Sequence, residues 1–485
     1  MNPILTSSEM RALERWAIDG GRVKSLDLQE RAAEGAAALV PAGVPVEVLA
    51  GPGNNGGDAL AVARLLKRRG ESVRVWTLAP DAAWKGDAGL QAARWKDEGG
   101  SLYFAADPVV EARLEPGAWV VDGLFGLSAS RPLEGTAARW AEKTGDPSAG
   151  FTVLALDQPS GIQPDEPDSG TAFDRADLTA CFGHLKPCHV LRPAAERCGK
   201  VVTVPLPLPG LTEGGCPVKP RLWLMDQPKL SAHPWNVHKG GKGRVTIRAG
   251  SLGMSGAAVL AALGALRAGA GLVTVLADAA VRAEIAVQVP EAMVHPWTGV
   301  VPPETDVLLA GPGGVKEAPE WRGRLVLDAS ALKEGQGKHW MTRPQTILTP
   351  HAGEFARLFQ LPAPSGSGER LRQARAAAAS GPGVLLLKGA QSLIAGGETG
   401  AVVVNGTGHG GLATGGTGDF LAGMVAGWWA QSLEPDWIAP RNAAAAAAWL
   451  HGRCADRLGP GPLLPRDLAE ELPRLLRDLH AGRPA

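Results

Sequence analysis

Hydrophobic and polar positions along the 485-residue chain alternate between two rhythms. Short apolar runs at residues 46–50, 102–105, 119–121 and 151–156 are each closed by glycine, proline or an acid. They predict strands buried on both faces. Between them lie longer stretches with apolar residues at helical spacing, such as ALAVARLLKRRG ending at Gly70. Two further helical stretches, LTSSEMRALERWAID and SLDLQERAAEGAAALV, precede the first strand. The second half repeats the rhythm, starting with the strand–helix–strand stretch RVTIRAGSLGMSGAAVLAALGALRAGAGLVTVL. Strands follow at 305–310, 324–327, 346–349 and 384–387, then a hairpin, then AVVVN leading through a glycine loop into the helix FLAGMVAGWW. Alternating strand and helix predicts parallel α/β sheets between helical layers.

Length favours two domains. The proline- and glycine-rich stretch VPLPLPGLTEGGCPVKPRLWLMDQPK separates them, which predicts a first domain over 1–210, a linker over 211–229 and a second domain over 230–485. Lys plus Arg equals Asp plus Glu at 49 each, removing any electrostatic argument for a nucleic-acid or membrane surface and favouring small-molecule partners. The opening residues carry no signal-type apolar core and no run reaches membrane-span length, so a cytoplasmic chain is expected. The 5 cysteines form no C-x-x-C pair, which predicts reduced structural thiols. Apolar helices able to pack between subunits leave room for a homo-oligomer.

Candidate chemistry sits where strands end, the place at which open α/β sheets bind ligands. Gly51, Gly53 and Gly56 satisfy G-x-G-x-x-G, but the next strand lacks the ribose-binding acid of a dinucleotide fold. Asn54, Asn55 and Asp58 offer polar groups to a ribose-phosphate edge or a hard cation. Asp122 and Asp157 each follow a strand, and Asn55, Asp122 and Ser160 are possible oxygen ligands for one cation. In the second half, His351, Glu354 and Lys388 stand at strand ends; a lysine there is costly to bury unless it meets a negative ligand. The loop NGTGHGGLATGGTGD ends in Gly415, Gly416, Gly418 and Asp419 at a helix start. It reads as an anion cradle whose acid is either a helix cap or a base.

The motifs GPGNNGGD, DGLFGLSASRP and LALDQPSG resemble the NAD(P)H-hydrate epimerase family over about residues 1–210. That resemblance implies a Rossmann-like domain. It implies hydrate contacts from Asn54, Asn55, Gly56, Gly57 and Asp58, from Gly126, Leu127, Ser128, Ala129, Ser130, Arg131 and Pro132, and from Asp157. It also implies K+ bound by Asn55, Asp122 and Ser160. Asp157 is the expected proton-handling group. The chain departs from the family where Leu127 and Ser128 replace a Thr-Gly pair.

HKGGKGRV, GSLGMSGAA, LTPHAGE, LLKGAQSLI and the glycine loop resemble, in order, the ADP/ATP-dependent NAD(P)H-hydrate dehydratase family, a ribokinase-like fold, across about 230–480. The resemblance implies nucleotide contacts from Lys388, Gly389, Ala390, Gln391 and Ser392 and from Gly415, Gly416, Thr417 and Gly418, with Mg2+ accompanying ADP or ATP. Hydrate contacts are implied for Ala257, Gly313, His351 and Asp419, with Asp419 as catalytic base. Arg248 and His409 depart from the family pattern at positions expected to tune nucleotide affinity. The expected substrates are thus the hydrates NADHX and NADPHX with ADP or ATP. Sugar and vitamin kinases share the G-T-G-D loop, but the fused NNGGD domain argues against them.

Overall fold

A computed structural model of the chain describes residues 1–78, 84–104, 114–127, 132–168, 175–230, 236–397, 400–431 and 439–483. It divides into two compact units, Pro3–Pro220 and Arg221–Ala485 with Met1–Asn2. No helix among the described residues is long and apolar enough to cross a membrane.

The chain opens with a short strand, β1 (Asn2–Ile4), and the first unit continues with helices Ser7–Asp19 and Ser25–Ala37. Thr6 caps the first helix in a capping box with Glu9, accepting from Glu9 N at 3.2 Å while Thr6 N donates to Glu9 Oε2 at 2.8 Å. The sheet then comprises β2 (Val46–Ala50), β3 (Val73–Thr77), β4 (Leu102–Phe104), β5 (Trp119–Gly123), β6 (Thr152–Leu156), β7 (Leu178–Phe182) and β8 (Lys200–Val204). Their order is β4-β3-β2-β5-β6-β7-β8, all parallel. β7 and β8 do not stand out as apolar runs, because Thr179 and Lys200 interrupt them.

Successive residues feed opposite faces, and both are buried. Val48, Ala50, Val121, Leu154 and Leu156 pack with Leu60, Ala63 and Leu66, while Leu49, Val120, Val153 and Ala155 pack with Ala137 and Trp140. Chain order reverses between the neighbouring strands β2 and β5, so the loops after them leave the sheet in opposite directions and open a crevice.

The second unit contains β9 (Leu222–Leu224), β10 (Arg244–Arg248), β11 (Leu272–Ala277), β12 (Met293–Pro296), β13 (Val307–Ala310), β14 (Arg324–Leu327), β15 (Thr346–Leu348), β16 (Val384–Leu387), β17 (Leu393–Gly396) and β18 (Val402–Val404). They run in the order β9-β18-β17-β16-β15-β14-β13-β10-β11-β12, parallel except that β17 is antiparallel to both its neighbours. The stretch read as a linker carries β9, which pairs in register with β18 from Leu222↔Val402 to Leu224↔Val404. Its prolines flank the strand and leave its ladder N–H groups intact. Order reverses again between β10 and β13.

One face of this sheet is covered by helices Ser255–Arg267, Thr417–Ala430, Ala439–Leu458 and Pro465–His480, whose Ala262, Met424, Ala444, Leu450 and Leu472 join Ile247, Leu309 and Leu386 in one core. The alternate residues Leu308, Leu325, Leu327, Leu385 and Leu387 are equally buried on the other face. Helices Ser255–Arg267 and Thr417–Ala430 approach so closely that only glycine fits between them. A Cβ on Gly264 would lie 2.2 Å from Phe420 O, and one on Gly423 2.0 Å from Ala261 O. Leu260 meets Gly416 near one end and Gln431 meets Gly269 near the other, so the two helices run parallel and their N-termini share an end.

Candidate active sites

The crevice between β2 and β5 holds the first site. The GPGNNGGD glycines make it compact: a Cβ on Gly51 would lie 1.8 Å from Leu124 O and one on Gly56 1.8 Å from Gly51 O. Helix Asn54–Arg68 starts there with Gly53 at its N-cap and no side-chain cap, leaving its first N–H groups for a ligand. A pocket of about 370 Å³ opens beside it, lined by the expected Asn54, Asn55, Asp58, Gly126, Leu127 and Asp157. Gly57 instead packs against Gln29 and Ala88, and Pro132 is exposed. Ser128, Ala129, Ser130 and Arg131 lie outside the described residues.

Asp157 occupies left-handed backbone at φ 63°, uncommon for a residue with a Cβ. Its carboxylate accepts from Phe182 N at 3.1 Å and is ion-paired with Lys186, a fully buried lysine that also donates to Phe182 O at 2.8 Å. Burial opposes the Lys186 charge, but the Asp157 carboxylate outweighs it and raises the lysine's pKa. His189 is pushed down to about 4 by burial and then by Lys186, and so is a neutral ring. Its Nδ1 accepts from Lys186 N at 3.0 Å, so Nε2 carries the hydrogen and donates to Asp157 O at 2.7 Å. Cys188 and Cys198 lie close to this histidine, but both its nitrogens are thereby occupied.

Sequence reasoning passed over Glu14, Arg11 and Lys186, which line the same pocket. Arg11, Glu14 and Ile18 form one stripe of the first helix, while the neighbouring stripe of Met10, Leu13 and Ala17 is buried. The stripe was readable as a helix face, but nothing local says what it faces. Burial, then the Asp157 charge, pushes Glu14 up to about 7. The same two causes, followed by Glu14 and Asp87, raise Asp58 well above the usual carboxylate range.

Asp122 is fully buried behind the pocket. It accepts from Ser160 Oγ at 2.6 Å, Ser160 N at 2.7 Å and Leu124 N at 3.2 Å, and burial outweighs these bonds to raise it to about 6. The Asn55 side chain lies beside Gly126, and its buried Nδ2 has no hydrogen-bond partner. A buried carboxylate beside a serine hydroxyl offers oxygen donors of the kind a hard cation takes.

The second site lies along the carboxyl ends of β13, β14, β15 and β16. Parallel pairing sets Gly311, Asp328 and Thr349, the residues after β13, β14 and β15, in a row, and Lys388, after β16, pairs with His351 two residues further on. Lys388 Nζ donates to Asp328 Oδ1 at 2.8 Å, as does Thr349 Oγ1 at 2.8 Å. Burial opposes the Lys388 charge, but Asp328, Glu354 and Asp419 together raise its pKa. His351 caps helix Ala352–Phe359, its Nδ1 accepting from Gly353 N at 3.1 Å, and Glu354 Oε2 returns the bond from His351 N at 2.9 Å. With Nδ1 accepting, Nε2 carries a hydrogen, and it lies 3.6 Å from Glu354 Oε1.

Helix Thr417–Ala430 starts above this row. Gly416 is its N-cap at φ 91°, with no side-chain cap, and Asp419 is its third residue rather than the cap. Thr417 Oγ1 ties the turn to Leu412 O and Thr414 O at 2.9 and 2.8 Å. A Cβ on Gly418 would lie 3.3 Å from Lys388 Nζ, which puts the glycine loop beside the lysine. Asp419 is pushed up to about 7 by burial, then by Asp328 and Glu354, against the opposing pull of Lys388. The parallel helix Ser255–Arg267 brings its first turn, with Ala257, to the same end. Gly313, at φ 71°, packs against Met254 O and Gly250 in the β10 loop. Gly389, Ala390, Gln391 and Ser392 form the exposed to half-buried turn after Lys388, backed by Arg370 Nη2 donating to Gln391 O at 3.1 Å.

Arg248 donates to Asp278 Oδ1 at 2.9 Å and to Leu276 O at 3.1 Å. His409 uses Nδ1 to accept from Gly411 N at 3.1 Å and Nε2 to bond Ala455 O at 2.9 Å. Both side chains are committed to internal partners, the cheapest way to bury them.

Residues 245–474 match the family model of NAD(P)H-hydrate dehydratase, and residues 25–188 that of the YjeF-related protein N-terminus. The bifunctional NAD(P)H-hydrate repair enzyme Nnr of Moorella thermoacetica is 33% identical over 98% of this chain and 97% of that protein. Its namesake in Escherichia coli is 30% identical over 97% and 93%. A solved ADP/ATP-dependent NAD(P)H-hydrate dehydratase from Bacillus subtilis, co-crystallized with ATP/Mg2+, is 32% identical over 51% of this chain and 94% of that one, with a TM-score of 0.46. The fold is a Rossmann-like unit followed by a ribokinase-like unit, and the chain belongs to the family of bifunctional NAD(P)H-hydrate repair enzymes.

Proposed function

We infer that this chain repairs hydrated NADH and NADPH. The first unit interconverts the R and S hydrates. The second dehydrates the S hydrate with ADP or ATP, releasing phosphate and AMP, or ADP when ATP is used. The observation that carries the reading is Asp419, lifted to about 7 at an uncapped helix start beside Lys388.

Hydroxide is a poor leaving group, and phosphorylation turns it into a good one. Asp419 takes the proton of the hydrate's hydroxyl as that oxygen attacks the terminal phosphoryl group. The N–H groups of Gly415, Gly416, Thr417 and Gly418 and the Lys388 ammonium stabilise the charge in transfer. Loss of phosphate then restores the reduced ring. Ala257, Gly313 and the Nε2–H of His351 hold the hydrate, and the turn from Lys388 to Ser392 holds the nucleotide. Asp328, Glu354 and Asp419 would repel the nucleotide's phosphates, and Mg2+ accompanying ADP or ATP would supply the charge that offsets them.

In the first unit, Asn54, Asp58, Gly126 and Leu127 line the hydrate site and Asp157 handles a proton. Asn55, Asp122 and Ser160 are the residues that would hold K+, supported by the full burial of the Asp122 carboxylate and its bond to Ser160. A cation held there would offset the buried carboxylate.

One assay tests the whole reading. The protein is incubated with mixed hydrate epimers and ADP or ATP with Mg2+, and reduced-cofactor absorbance is followed. Complete recovery at an enzyme-dependent rate is expected. Recovery that halts at the S fraction removes the epimerase assignment, and none with either nucleotide removes the dehydratase.

A further inference from the structure

The first pocket holds more acid than a binding site for a nucleotide hydrate needs. Glu14, Asp58 and Asp157 all line it, with Lys186 paired to Asp157 alone. Repulsion among three carboxyls around one ammonium is relieved if one or more retains a proton, and a retained proton is a reagent. Glu14 is held in place by its helix. Ser7 N donates to Asp165 Oδ1 at 2.8 Å at the helix start, Arg11 Nη1 donates to Leu127 O at 3.1 Å, and Met10 and Leu13 are buried. The helix is thus fastened to the loop that closes the pocket, and its Glu14 stripe points inward.

We propose that Glu14 is a catalytic residue of the epimerase site: it protonates the departing ring hydroxyl, and Asp157 accepts the proton of the water that returns to the other face. This rests on reading the first unit as the epimerase. The hydroxyl-bearing carbon lies next to the ring nitrogen. The C–O bond breaks with its electron pair going to oxygen, which takes the Glu14 proton and leaves as water, while the nitrogen lone pair forms a C=N+ bond. Water then adds to the opposite face. Its oxygen forms the new C–O bond, the C=N π pair returns to nitrogen, and the water's proton passes to Asp157. Glu14 and Asp157 thereby share one proton, and the reverse reaction uses them in the opposite order. Burial and then Asp157 favour the protonated form of Glu14, while Lys186 and Arg11 oppose it. The balance lies near pH 7, where a shared proton is most readily moved.

The test uses the full chain with the purified R hydrate, following R-to-S conversion above the uncatalysed rate. Dehydration of the S hydrate by the same sample controls for the second unit, and an unchanged thermal melt of the full chain serves as the folding control for the first. Glu14→Gln is expected to lower kcat for epimerisation about 100-fold, the usual weight of a positioned acid, with a smaller change in KM and unchanged dehydration. Glu14→Asp is expected to recover part of the loss. Wild-type kcat should fall as pH rises through about 7, and that limb should vanish in Glu14→Gln. Epimerisation by Glu14→Gln within a few-fold of wild type, with the same pH profile, overturns the assignment alone. A wild-type chain that epimerises no faster than the uncatalysed reaction overturns the epimerase reading along with it.

Discussion

Lys388 and Asp328, 60 residues apart in sequence, are joined by a 2.8 Å contact between Nζ and Oδ1 that reaches over the end of β15. Thr349, from that intervening strand, donates to the same oxygen. The lysine is thus held extended towards the glycine loop before any nucleotide arrives, and its charge is shared between Asp328 and the neighbouring Asp419.

Burial, then Asp328 and Glu354, lift Asp419 to about 7 against the pull of Lys388, a range suited to the base proposed for it. Asp419→Asn is expected to lower dehydration by about a hundredfold or more while leaving epimerisation intact. A base must be ionised to act, so wild-type kcat should rise with pH through about 7 and level above it. A variant that dehydrates at near the wild-type rate would show that Asp419 is not the base.

Lys388→Met removes the group that pulls the Asp419 pKa down. The rise of dehydration with pH should move to higher pH, and KM for ADP should increase about tenfold or more with the loss of a charge-assisted phosphate contact. Steady-state kinetics across pH 6–9 read both effects, and an unmoved inflection would contradict the coupling.

The contact between helices Ser255–Arg267 and Thr417–Ala430 leaves no room for a methyl group. Gly423→Ala places a Cβ where Ala261 O now stands, 2.0 Å away. It should cost about 1–3 kcal/mol, as overpacking does, and slow dehydration by shifting the loop at the helix start. Thermal melts with both activity assays would check it; epimerisation should be spared.

Lys186 is wholly buried against Asp157, and one partner without the other is an uncompensated charge. Lys186→Met should destabilise the first unit by about 3–5 kcal/mol. Adding Asp157→Asn should recover part of that loss, while neither variant epimerises. Equal denaturation midpoints for Lys186→Met and the double variant would show that the pair is not coupled.

Much of this chain is legible residue by residue. Runs such as Val384–Leu387 are apolar at consecutive positions because parallel strands are covered on both faces, and the glycines and acids just after them mark the sheet end where ligands bind. Asn54, Asp58, Asp157, Lys388 and Asp419 could therefore be singled out without coordinates. The proline-rich stretch hid β9 because a three-residue strand at an edge owes its existence to β18 rather than to its own pattern. Glu14 and Lys186 were silent for a related reason: a charged residue on a helix or in a loop reads as solvated until its neighbours are known. The sequence by itself determined the strand and helix rhythm, the glycine loops and the acids at strand ends, since these follow from local geometry and burial. Only the tertiary structure decided that the Arg11–Glu14–Ile18 stripe faces the Asp157 pocket and that Asp328, Lys388 and Asp419 share one field. Coulombic coupling and desolvation depend on distances between residues that the chain order leaves far apart.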